Sequence, residues 1–248
     1  MNFYVLTLFP DMINEAMSHS IMGRAQNEGL INVRAIDIRD FSKDKNRRVD
    51  DYPYGGGCGM VMQAGPVFDA FTYAKSLSPD KPRLLYMSPK GRPFSQKTAE
   101  ELSKEENIII LCGHYEGIDE RVTDRLSPEE ISIGDFVLSG GEIAALAVMD
   151  SVSRLIPGVL GKEESFARES FSEGLLEYPQ YTRPYEFMGS EVPDILLSGH
   201  HKNISGWRRK KSLEETFKKR PDLLKTACLT EEDSAYINEL KKNCSKPE

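Results

Sequence analysis

The chain has 248 residues, of which 39% are hydrophobic and 29% are charged, and its formal net charge is −7 at pH 7. This balance is typical of a globular protein and excludes a wholly disordered, collagen-like or coiled-coil chain. A chain of this length buries enough surface to fold without a disulfide or a metal staple.

Strand-like and helix-like segments alternate along the first 160 residues. Residues 3–8, 31–35, 83–87 and 107–112 have strand patterns, and 131–138 is a further candidate strand, interrupted by Gly134-Asp135. Helical patterns begin at Pro10, after Gly65-Pro66, after a possible capping Ser95, and over 142–154. This alternation predicts βαβ units and a mainly parallel sheet.

The pattern changes after Pro157. Residues 158–174 mix glycine with charge and have the composition of a linker or mobile loop. Beyond them we find no convincing strand pair, but a basic helix over 207–220 and a final helix that opens with the capping-box sequence Thr230-Glu231-Glu232-Asp233. We therefore predict an α/β domain at 1–160, a linker at 161–175 and a small helical domain at 176–248.

Nothing in the chain indicates export or membrane insertion. The first basic residue is Arg24, whereas a signal peptide carries its positive charge before the apolar stretch. The longest apolar run, 143–149, is far shorter than the roughly 20 residues of a spanning helix. The four cysteines include no C-x-x-C pair, which argues against structural zinc and favours a reducing compartment. The expected location is the cytoplasm.

Basic residues are concentrated between positions 200 and 225. This segment has nine Lys and Arg residues against three Asp and Glu, in a chain that is acidic as a whole. Such a distribution favours an anionic partner such as nucleic acid. A solvated helix face is the alternative, because six of the cations recur at helical spacing. They are Arg208, Arg209, Lys210, Lys211, Lys218 and Lys219.

Several familiar motifs are absent from the sequence. It has no G-x-G-x-x-G after the first strand and no G-x-x-x-x-G-K-[ST], so the usual glycine loops for dinucleotides and nucleoside triphosphates are missing. It also has no H-E-x-x-H and no G-x-S-x-G. The common hydrolase, kinase and dehydrogenase interpretations are therefore weak.

Three glycine-rich loops follow predicted strands, at 86–91, 112–117 and 132–141. Ligands of open α/β sheets bind at the carboxyl ends of strands, and glycine there lets the backbone approach a ligand closely. None of the loops has a phosphate-cradle pattern. A phosphate-free ligand with a planar polar ring, such as an adenosine linked to an amino acid, fits better; plain turn chemistry is the alternative.

A fourth glycine cluster lies at 54–60 and follows two arginines, Arg47 and Arg48. Together with Tyr52 and Tyr54 it has the composition of a surface for unpaired RNA, which proteins hold by stacking bases on aromatic rings beside phosphate-binding cations. A flexible linker is the alternative.

Long strings in one order carry a family resemblance. They are VDDxPYGGGxGM at 49–60, CGxYEGIDER at 112–121, SIGDxVLSGGE at 132–142, SVSRxIPGVLG at 151–161, YTRP at 181–184 and VPxILLSG at 192–199. They resemble the bacterial tRNA (guanine-N1)-methyltransferases, the TrmD family of the SPOUT superfamily, over nearly the whole chain. The resemblance implies methylation of the guanine at position 37 of tRNA, next to the anticodon, with S-adenosylmethionine as methyl donor.

The resemblance also implies an architecture. It is an α/β fold, a SPOUT-type parallel sheet with a deep trefoil knot, plus a small C-terminal all-helical domain. Rules of chain topology treat knots as rare exceptions, so pattern reading alone predicts an unknotted sheet. The family further implies a homodimer with the active site at the subunit interface. No DNA or membrane partner is expected.

Binding residues are also assigned by the resemblance. For S-adenosylmethionine they are Tyr86, Ser88, Pro89, Gly113, Tyr115, Glu116, Ile133, Gly134, Asp135, Phe136, Val137, Leu138, Gly140 and Gly141. For tRNA they are Asp50, Gly59, Met60, Arg183, Arg208, Arg209, Lys210 and Lys211. The last four would grip phosphates and position the substrate without reading its sequence. No carboxylate cage for a resident metal is visible, so any Mg²⁺ would be shared with the substrate.

The chemistry of the reaction requires two groups. Guanine N1 carries a proton at neutral pH, so a base must remove it as the methyl group arrives, and a cation or donor must stabilise the charge that shifts to O6. The resemblance places the base at Glu169, where the family usually has Asp, and the cation at Arg154. Two alternatives remain: a non-catalytic SPOUT-like RNA-binding protein, and a SPOUT methyltransferase acting on another RNA.

Overall fold

The structure, a computed structural model, describes residues 1–78, 80–161 and 169–244. The chain divides into two units, Met1–Lys162 and Glu163–Glu248. Of the predicted linker at 161–175, residues 162–168 lie outside the described residues. No helix in the described ranges is long and apolar enough to cross a membrane.

Parallel strands form the central sheet of the first unit. The strands of this unit are β1 (Asn2–Thr7), β2 (Asn32–Asp37), β3 (Asp50–Asp51), β4 (Val61–Met62), β5 (Arg83–Pro93), β6 (Asn107–Cys112) and β7 (Glu129–Ser132). Five of them pair in the order β2-β1-β6-β5-β7, and every pairing in this sheet is parallel. Strands β3 and β4 form a separate antiparallel pair. The predicted α/β class with a parallel sheet is confirmed.

Helices cover the sheet on both faces. They are α1 (Pro10–Met17), α2 (Ser20–Asn27), α3 (Ala64–Leu77), α4 (Gln96–Leu102), α5 (Glu120–Leu126) and α6 (Glu142–Ser153). The helices predicted from Pro10, after Pro66, after Ser95 and from Glu142 are confirmed. Ser95 caps α4, because its Oγ accepts a hydrogen bond from the Thr98 backbone N–H at 3.3 Å.

The two faces of the sheet bury two apolar cores. All six residues of β6 are buried, which explains the continuous apolar run that the sequence shows there. Ile108 and Ile110 join the core built with α1, α4 and α6, whereas Ile109 and Leu111 join the core built with α3 and α5. Each such side chain contributes about 1.5–3 kcal/mol on burial, so this central strand anchors the unit.

Strand β7 is shorter than the strand predicted over 131–138. It ends at Ser132 because a tight turn follows: Gly134 has φ of +148°, and its N–H donates to Ser132 Oγ at 3.2 Å. Phe136 N–H then donates to the Gly134 carbonyl at 3.0 Å. Glycine adopts this backbone conformation without the strain of other residues. Gly134-Asp135, predicted to interrupt a longer strand, therefore belongs to the turn at which the strand ends.

The second unit contains two helices and a short hairpin. Helix α7 spans His201–Lys219 and α8 spans Glu231–Cys244, while β8 (Glu186–Phe187) pairs antiparallel with β9 (Ser190–Glu191). The hairpin corrects the prediction that this part lacks a strand pair. Its turn residues, Met188 and Gly189, both have positive φ, as a two-residue type I′ turn requires. Two-residue strands are too short to show an alternating pattern in the sequence.

Helix α7 begins at His201, earlier than the predicted start at 207, and the glycine at position 206 lies inside it. Glycine lowers helix propensity and so masked the first turns in the sequence. The capping box at the start of α8 is confirmed: Asp233 N–H donates to Thr230 Oγ1 at 3.1 Å, and Thr230 N–H donates to Asp233 Oδ2 at 3.0 Å. Leu175, Leu213 and Ile237 form the buried core of this unit.

Candidate functional site

A cavity of about 360 Å³ lies at a bulge in β5, where its regular pairing breaks off, and beside the carboxyl ends of β6 and β7; we call it the strand-end cavity. It is lined by residues 86–90, 113–118, 130–134 and 136–141, together with Glu120, Thr123 and Ala144. This edge of an open parallel sheet is where ligands of α/β proteins bind. The three glycine-rich loops therefore meet in one cavity.

The lining includes every residue that the sequence assigned to the cofactor except Asp135. Asp135 is exposed, as are its neighbours Phe136 and Val137, which do contribute to the lining. The lining also includes Lys90, His114, Glu120 and Glu130, which the sequence analysis did not assign. His114 could have been found from its position inside the glycine-rich loop at 112–117, whereas Glu130 lies within β7 and outside every loop that the sequence singled out.

Backbone contacts hold the loops of the cavity against each other. Gly141 N–H donates to the Gly113 carbonyl at 2.9 Å, and His114 forms an isolated bridge with Gly140. A Cβ on Gly141 would lie 2.9 Å from Cys112 Cα, closer than real Cβ contacts. Glycine is thus required at position 141 by the packing of the α6 start against β6, whatever occupies the cavity.

A bulge in β5 forms another wall. Met87 and Arg92 both pair with Ile131, so residues 88–91 leave the regular ladder. Ser88 Oγ accepts a hydrogen bond from Lys90 N–H at 3.2 Å, which shapes the bulge. Bulges of this kind redirect side chains next to functional sites, and here Ser88, Pro89 and Lys90 line the cavity.

Polar groups inside the cavity are only partly satisfied. Burial, with the nearby charges of Glu130 and Glu120, raises the pKa of Tyr86 to about 12, so Tyr86 is a hydroxyl donor at neutral pH. Within the described part of the chain, Glu130 Oε2 and His114 Nδ1 are buried and have no hydrogen-bond partner. An unsatisfied buried polar atom costs about 1–3 kcal/mol, so a ligand or water that binds it gains that free energy.

The glycine cluster at 54–60 is the loop of the β3–β4 hairpin and contacts the strand-end cavity. Glu116 N–H donates to the Met60 carbonyl at 2.9 Å, and Met62 N–H donates to the Gly117 carbonyl at 2.9 Å. A Cβ on Gly59 would overlap the Glu116 side chain. The structure thus brings Gly59 and Met60, predicted to bind tRNA, next to the predicted cofactor loops.

The same hairpin contains Asp50, also predicted to bind tRNA, and two tyrosines. Asp50 lies in β3 opposite Met62. Tyr52 and Tyr54 are 78% and 101% exposed, so their rings are open to a partner. This exposure agrees with the stacking surface that the sequence indicated.

Arg154, the predicted cation, lies at the other end of α6 from the strand-end cavity. It is the C-cap residue, and its N–H donates to the Asp150 carbonyl at 3.1 Å. Ala144, near the helix start, is the α6 residue that lines the cavity. A helix of 12 residues is about 18 Å long. Arg154 therefore does not contribute to the cavity of its own chain.

Glu169, the predicted base, lines a different cavity, of about 260 Å³, in the second unit; we call it the Glu169 cavity. Glu173, Tyr178, Arg208 and Arg209 share this lining. The segment that follows Glu169 is fastened to α7, where Thr216 Oγ1 accepts from Leu176 N–H at 2.9 Å and Ser212 Oγ donates to the Leu176 carbonyl at 2.6 Å.

The four consecutive cations at 208–211, predicted to bind tRNA phosphates, point in different directions from helix α7 and have different partners. Successive residues of a helix point about 100° apart. Arg209 pairs with Glu173 and Asp233, and Lys211 pairs with Glu214. Arg208 lies over the Tyr178 ring and Lys210 over the Tyr236 ring. Arg183, also predicted to bind tRNA, is exposed.

Arg209→Ala is expected to lower the free energy of unfolding of the second unit by about 2 kcal/mol, because the buried Asp233 carboxylate loses its charged donor. Denaturant unfolding followed by the fluorescence of Trp207, the one tryptophan of the chain, measures this. Lys202→Ala, at an exposed position of the same helix, is the control and should change stability little. Equal stability of Arg209→Ala and wild type would contradict the structural role of Arg209.

The same pair makes stability depend on pH. Burial alone would raise the pKa of Asp233, but hydrogen bonds from Arg209 and Thr230 outweigh it and hold the pKa below its ordinary value. The contribution of the pair is therefore complete above the ordinary pKa of aspartate, about 4, and is lost as the pH falls through the lowered value.

The described residues contain no group of three or more His, Cys, Asp and Glu side chains placed to hold a metal ion. The free cysteines differ in exposure: Cys58 and Cys228 are exposed, whereas Cys112 is buried in the apolar core. Burial raises the pKa of the Cys112 thiol well above its ordinary value, so this thiol stays protonated.

Comparison with known proteins identifies the family. The family described as tRNA (Guanine-1)-methyltransferase TrmD matches residues 1–226. A protein named tRNA (guanine-N(1)-)-methyltransferase from Clostridium botulinum (strain Eklund 17B / Type B) is 57% identical to this chain, over 96% of this chain and 98% of its own. One of the same name from Lachnoclostridium phytofermentans is 49% identical, over 97% of this chain and 97% of its own. One of the same name from Anoxybacillus flavithermus is 51% identical over 98% of this chain and 99% of its own. The chain therefore belongs to the TrmD family of tRNA (guanine-N1)-methyltransferases.

Proposed function

We propose that this protein transfers a methyl group from S-adenosylmethionine to N1 of the guanine at position 37 of tRNA. The observation that carries the proposal is the strand-end cavity, whose lining unites the loops that the family resemblance assigns to the methyl donor. The relatives, which match nearly the whole chain, are named for guanine N1 methylation of tRNA.

The residues of the strand-end cavity fit S-adenosylmethionine. A volume of about 360 Å³ falls within the range of small-molecule sites. The glycine loops leave backbone donors and acceptors accessible to an adenine ring, and Glu130 Oε2 and His114 Nδ1 are buried atoms that lack partners among the described residues. The carboxylates of Glu116, Glu120 and Glu130 suit a ligand that carries a positive sulfonium.

The proposed mechanism uses two side chains of the protein. S-adenosylmethionine supplies an electrophilic methyl group. Glu169 accepts the N1 proton of guanine, and Arg154 stabilises the negative charge that develops on O6. The glycine loops orient the donor, and their fixed position lowers the entropy cost of bringing the methyl group to N1.

We also propose a homodimer in which the active site lies at the subunit interface. In one chain, Arg154 is about a helix length from the strand-end cavity, so a second copy must supply this cation if it acts there. Large apolar side chains around the cavity are exposed, including Phe136 at 54%, Val137 at 88% and Ile143 at 49%. Exposed apolar patches of this kind mark interaction surfaces. The trefoil knot is part of the same proposal, by family membership.

The second unit, in this proposal, binds tRNA, and the segment that carries Glu169 joins it to the knotted unit that holds the cofactor. Mg²⁺, if required, arrives with the tRNA, since the described residues offer no metal cluster.

Methyl transfer to an unmodified tRNA transcript tests the proposed function. We expect transfer when guanine is at position 37 and none when that guanine is replaced. Binding of both S-adenosylmethionine and tRNA without transfer would instead support a non-catalytic RNA-binding protein. Transfer only to a different RNA would support the alternative of a SPOUT methyltransferase that acts on that RNA.

Lys210→Ala is expected to weaken tRNA binding and to make the slope of log K against log salt shallower by about one, the signature of one lost phosphate contact. Lys210 is exposed, so its ammonium group is open to a phosphate. Glu215→Gln, on the same helix, is the control. It removes a negative charge instead of a positive one, and this loss should not weaken tRNA binding. An unchanged affinity and slope for Lys210→Ala would assign this lysine to the solvated helix face.

A further inference from the structure

A groove of about 590 Å³ in the second unit has an aromatic and cationic lining that the proposed mechanism does not use. Its walls include four aromatic side chains and two arginines. They are Tyr178, Tyr181, Tyr185, Trp207, Arg183 and Arg208, and we call this site the aromatic groove. Its volume lies in the range that holds small organic ligands.

Two of the four rings of the groove are exposed, and Tyr178 and Trp207 are half-buried. Tyr181 and Tyr185 are 47% and 44% exposed. The ring centroids of Tyr181 and Trp207 are 6.3 Å apart with planes tilted by 53°, so these rings do not stack face to face on each other. Tyr185 is held in place through its hydroxyl, whose one proton is shared between the carboxylates of Glu191 at 3.0 Å and Asp194 at 3.3 Å. Tyr181 and Tyr185 thus give the groove two accessible rings, one of which is fixed through its hydroxyl.

Arg208 adds an unsatisfied donor to this site. Its guanidinium lies 4.9 Å from the centroid of the Tyr178 ring. Its Nε is buried and has no hydrogen-bond partner among the residues that the structure describes. A buried donor without an acceptor costs about 1–3 kcal/mol, so an anionic or carbonyl oxygen brought by a ligand is favoured there.

The aromatic groove adjoins the Glu169 cavity. Tyr178 and Arg208 line both sites, so their stacked side chains separate a ligand in the groove from the proposed base, Glu169.

We infer that the aromatic groove binds one unpaired nucleotide of the tRNA substrate, whose base stacks on Tyr181 with Trp207 at its side. Unpaired bases are held by aromatic faces beside arginine, because every base has a π face and a nearby phosphate. Arg183, which is exposed, is available to that phosphate, and Arg208 offers its Nε to the same nucleotide. The inference rests on the proposed function, since it takes tRNA as the ligand.

Tyr181→Ala combined with single abasic substitutions in the anticodon loop of a tRNA transcript tests the inference. We expect Tyr181→Ala to weaken binding of the intact transcript by about 5- to 150-fold, the measured range for loss of one base stack. One abasic transcript should bind wild type equally weakly and lose nothing further with Tyr181→Ala. The same loss from Tyr181→Ala on every abasic transcript would overturn the inference.

Three controls separate stacking from other effects. Tyr181→Phe keeps the ring and should bind like wild type, whereas a loss equal to that of Tyr181→Ala would overturn the inference. Phe187→Ala removes a ring that is 67% exposed on the β8–β9 hairpin, outside the groove, and should leave binding unchanged. Tyr181→Ala should also keep the salt slope, whereas Arg183→Ala should reduce it by about one.

The inference and the proposed function fail in distinguishable ways. If the wild type transfers methyl groups but no abasic position removes the effect of Tyr181→Ala, the inference about the groove is wrong and the proposed function is unaffected. Coupling without methyl transfer would support the groove as an RNA site and reject the catalytic proposal.

Discussion

Glu169→Gln is expected to bind S-adenosylmethionine and tRNA like the wild type but to methylate tRNA about 10²- to 10⁴-fold more slowly. Glutamine is nearly isosteric with glutamate and cannot accept the N1 proton. The change removes a role that exists only in the transition state, so the loss falls on turnover and not on binding. Single-turnover methylation of an unmodified tRNA transcript, with affinities measured separately, checks this result.

Glu173→Gln is a matched control for this experiment. Glu173 lines the same cavity as Glu169, and its carboxylate pairs with Arg209 at 2.6 Å. We expect methylation by this variant to stay near the wild-type rate. If Glu169→Gln itself keeps a rate within about threefold of wild type, another carboxylate is the base. Asp50 and Glu173 are then the next candidates.

Glu169→Asp tests the departure from the usual family residue. The shorter side chain keeps the carboxylate but moves it by one methylene. We expect partial activity, because a displacement of about 1 Å at a reacting group lowers the rate by up to about 100-fold. Activity above that of wild type would show that the surrounding segment is arranged for aspartate.

Gly113→Val is expected to weaken S-adenosylmethionine binding by about 5- to 150-fold while the protein stays folded. A Cβ at this position would lie 2.9 Å from Tyr86 Oη, and the valine methyl groups add further volume at the wall of the strand-end cavity. Overpacking of this kind costs about 1–3 kcal/mol. The atom that is contacted belongs to the end of a side chain, so the backbone need not move. Calorimetric titration with S-adenosylmethionine measures the loss.

Gly65→Ala is the control for this variant. A Cβ at Gly65, in the first turn of α3, would meet no described heavy atom within 4 Å. Its binding and circular dichroism should match those of wild type. Unchanged affinity in Gly113→Val would remove Gly113 from the cofactor site, and a loss of folded structure would show that the glycine serves packing instead.

Local patterns account for most of the elements that the sequence predicted. The apolar run of β6, the Ser95 cap of α4 and the capping box of α8 each depend on residues that are neighbours in the chain. The elements that were missed have weak local signals. The β8–β9 hairpin has two-residue strands, and the first turns of α7 are interrupted by glycine at 206.

In the candidate site, too, the sequence predicted the features that depend on local residues and missed those that depend on packing. Glycines at strand ends and the family strings identified the loops of the strand-end cavity without knowledge of the fold. They did not indicate the buried, unpartnered atoms of Glu130 and His114, because burial depends on packing between segments distant in the chain. Nor did they show that Arg209 serves an ion pair with Asp233.

The sequence by itself determined the class of the fold, the family and the residue types available for chemistry, since these follow from periodicity and from strings read in order. Only the tertiary structure decided which of those residues share a cavity and which cations are occupied by internal partners. The physical reason is that burial, ion pairing and ring contacts are set by distances across the fold. Arg208 and Arg209 are adjacent in the chain, yet one opens onto two cavities and the other holds α7 against α8.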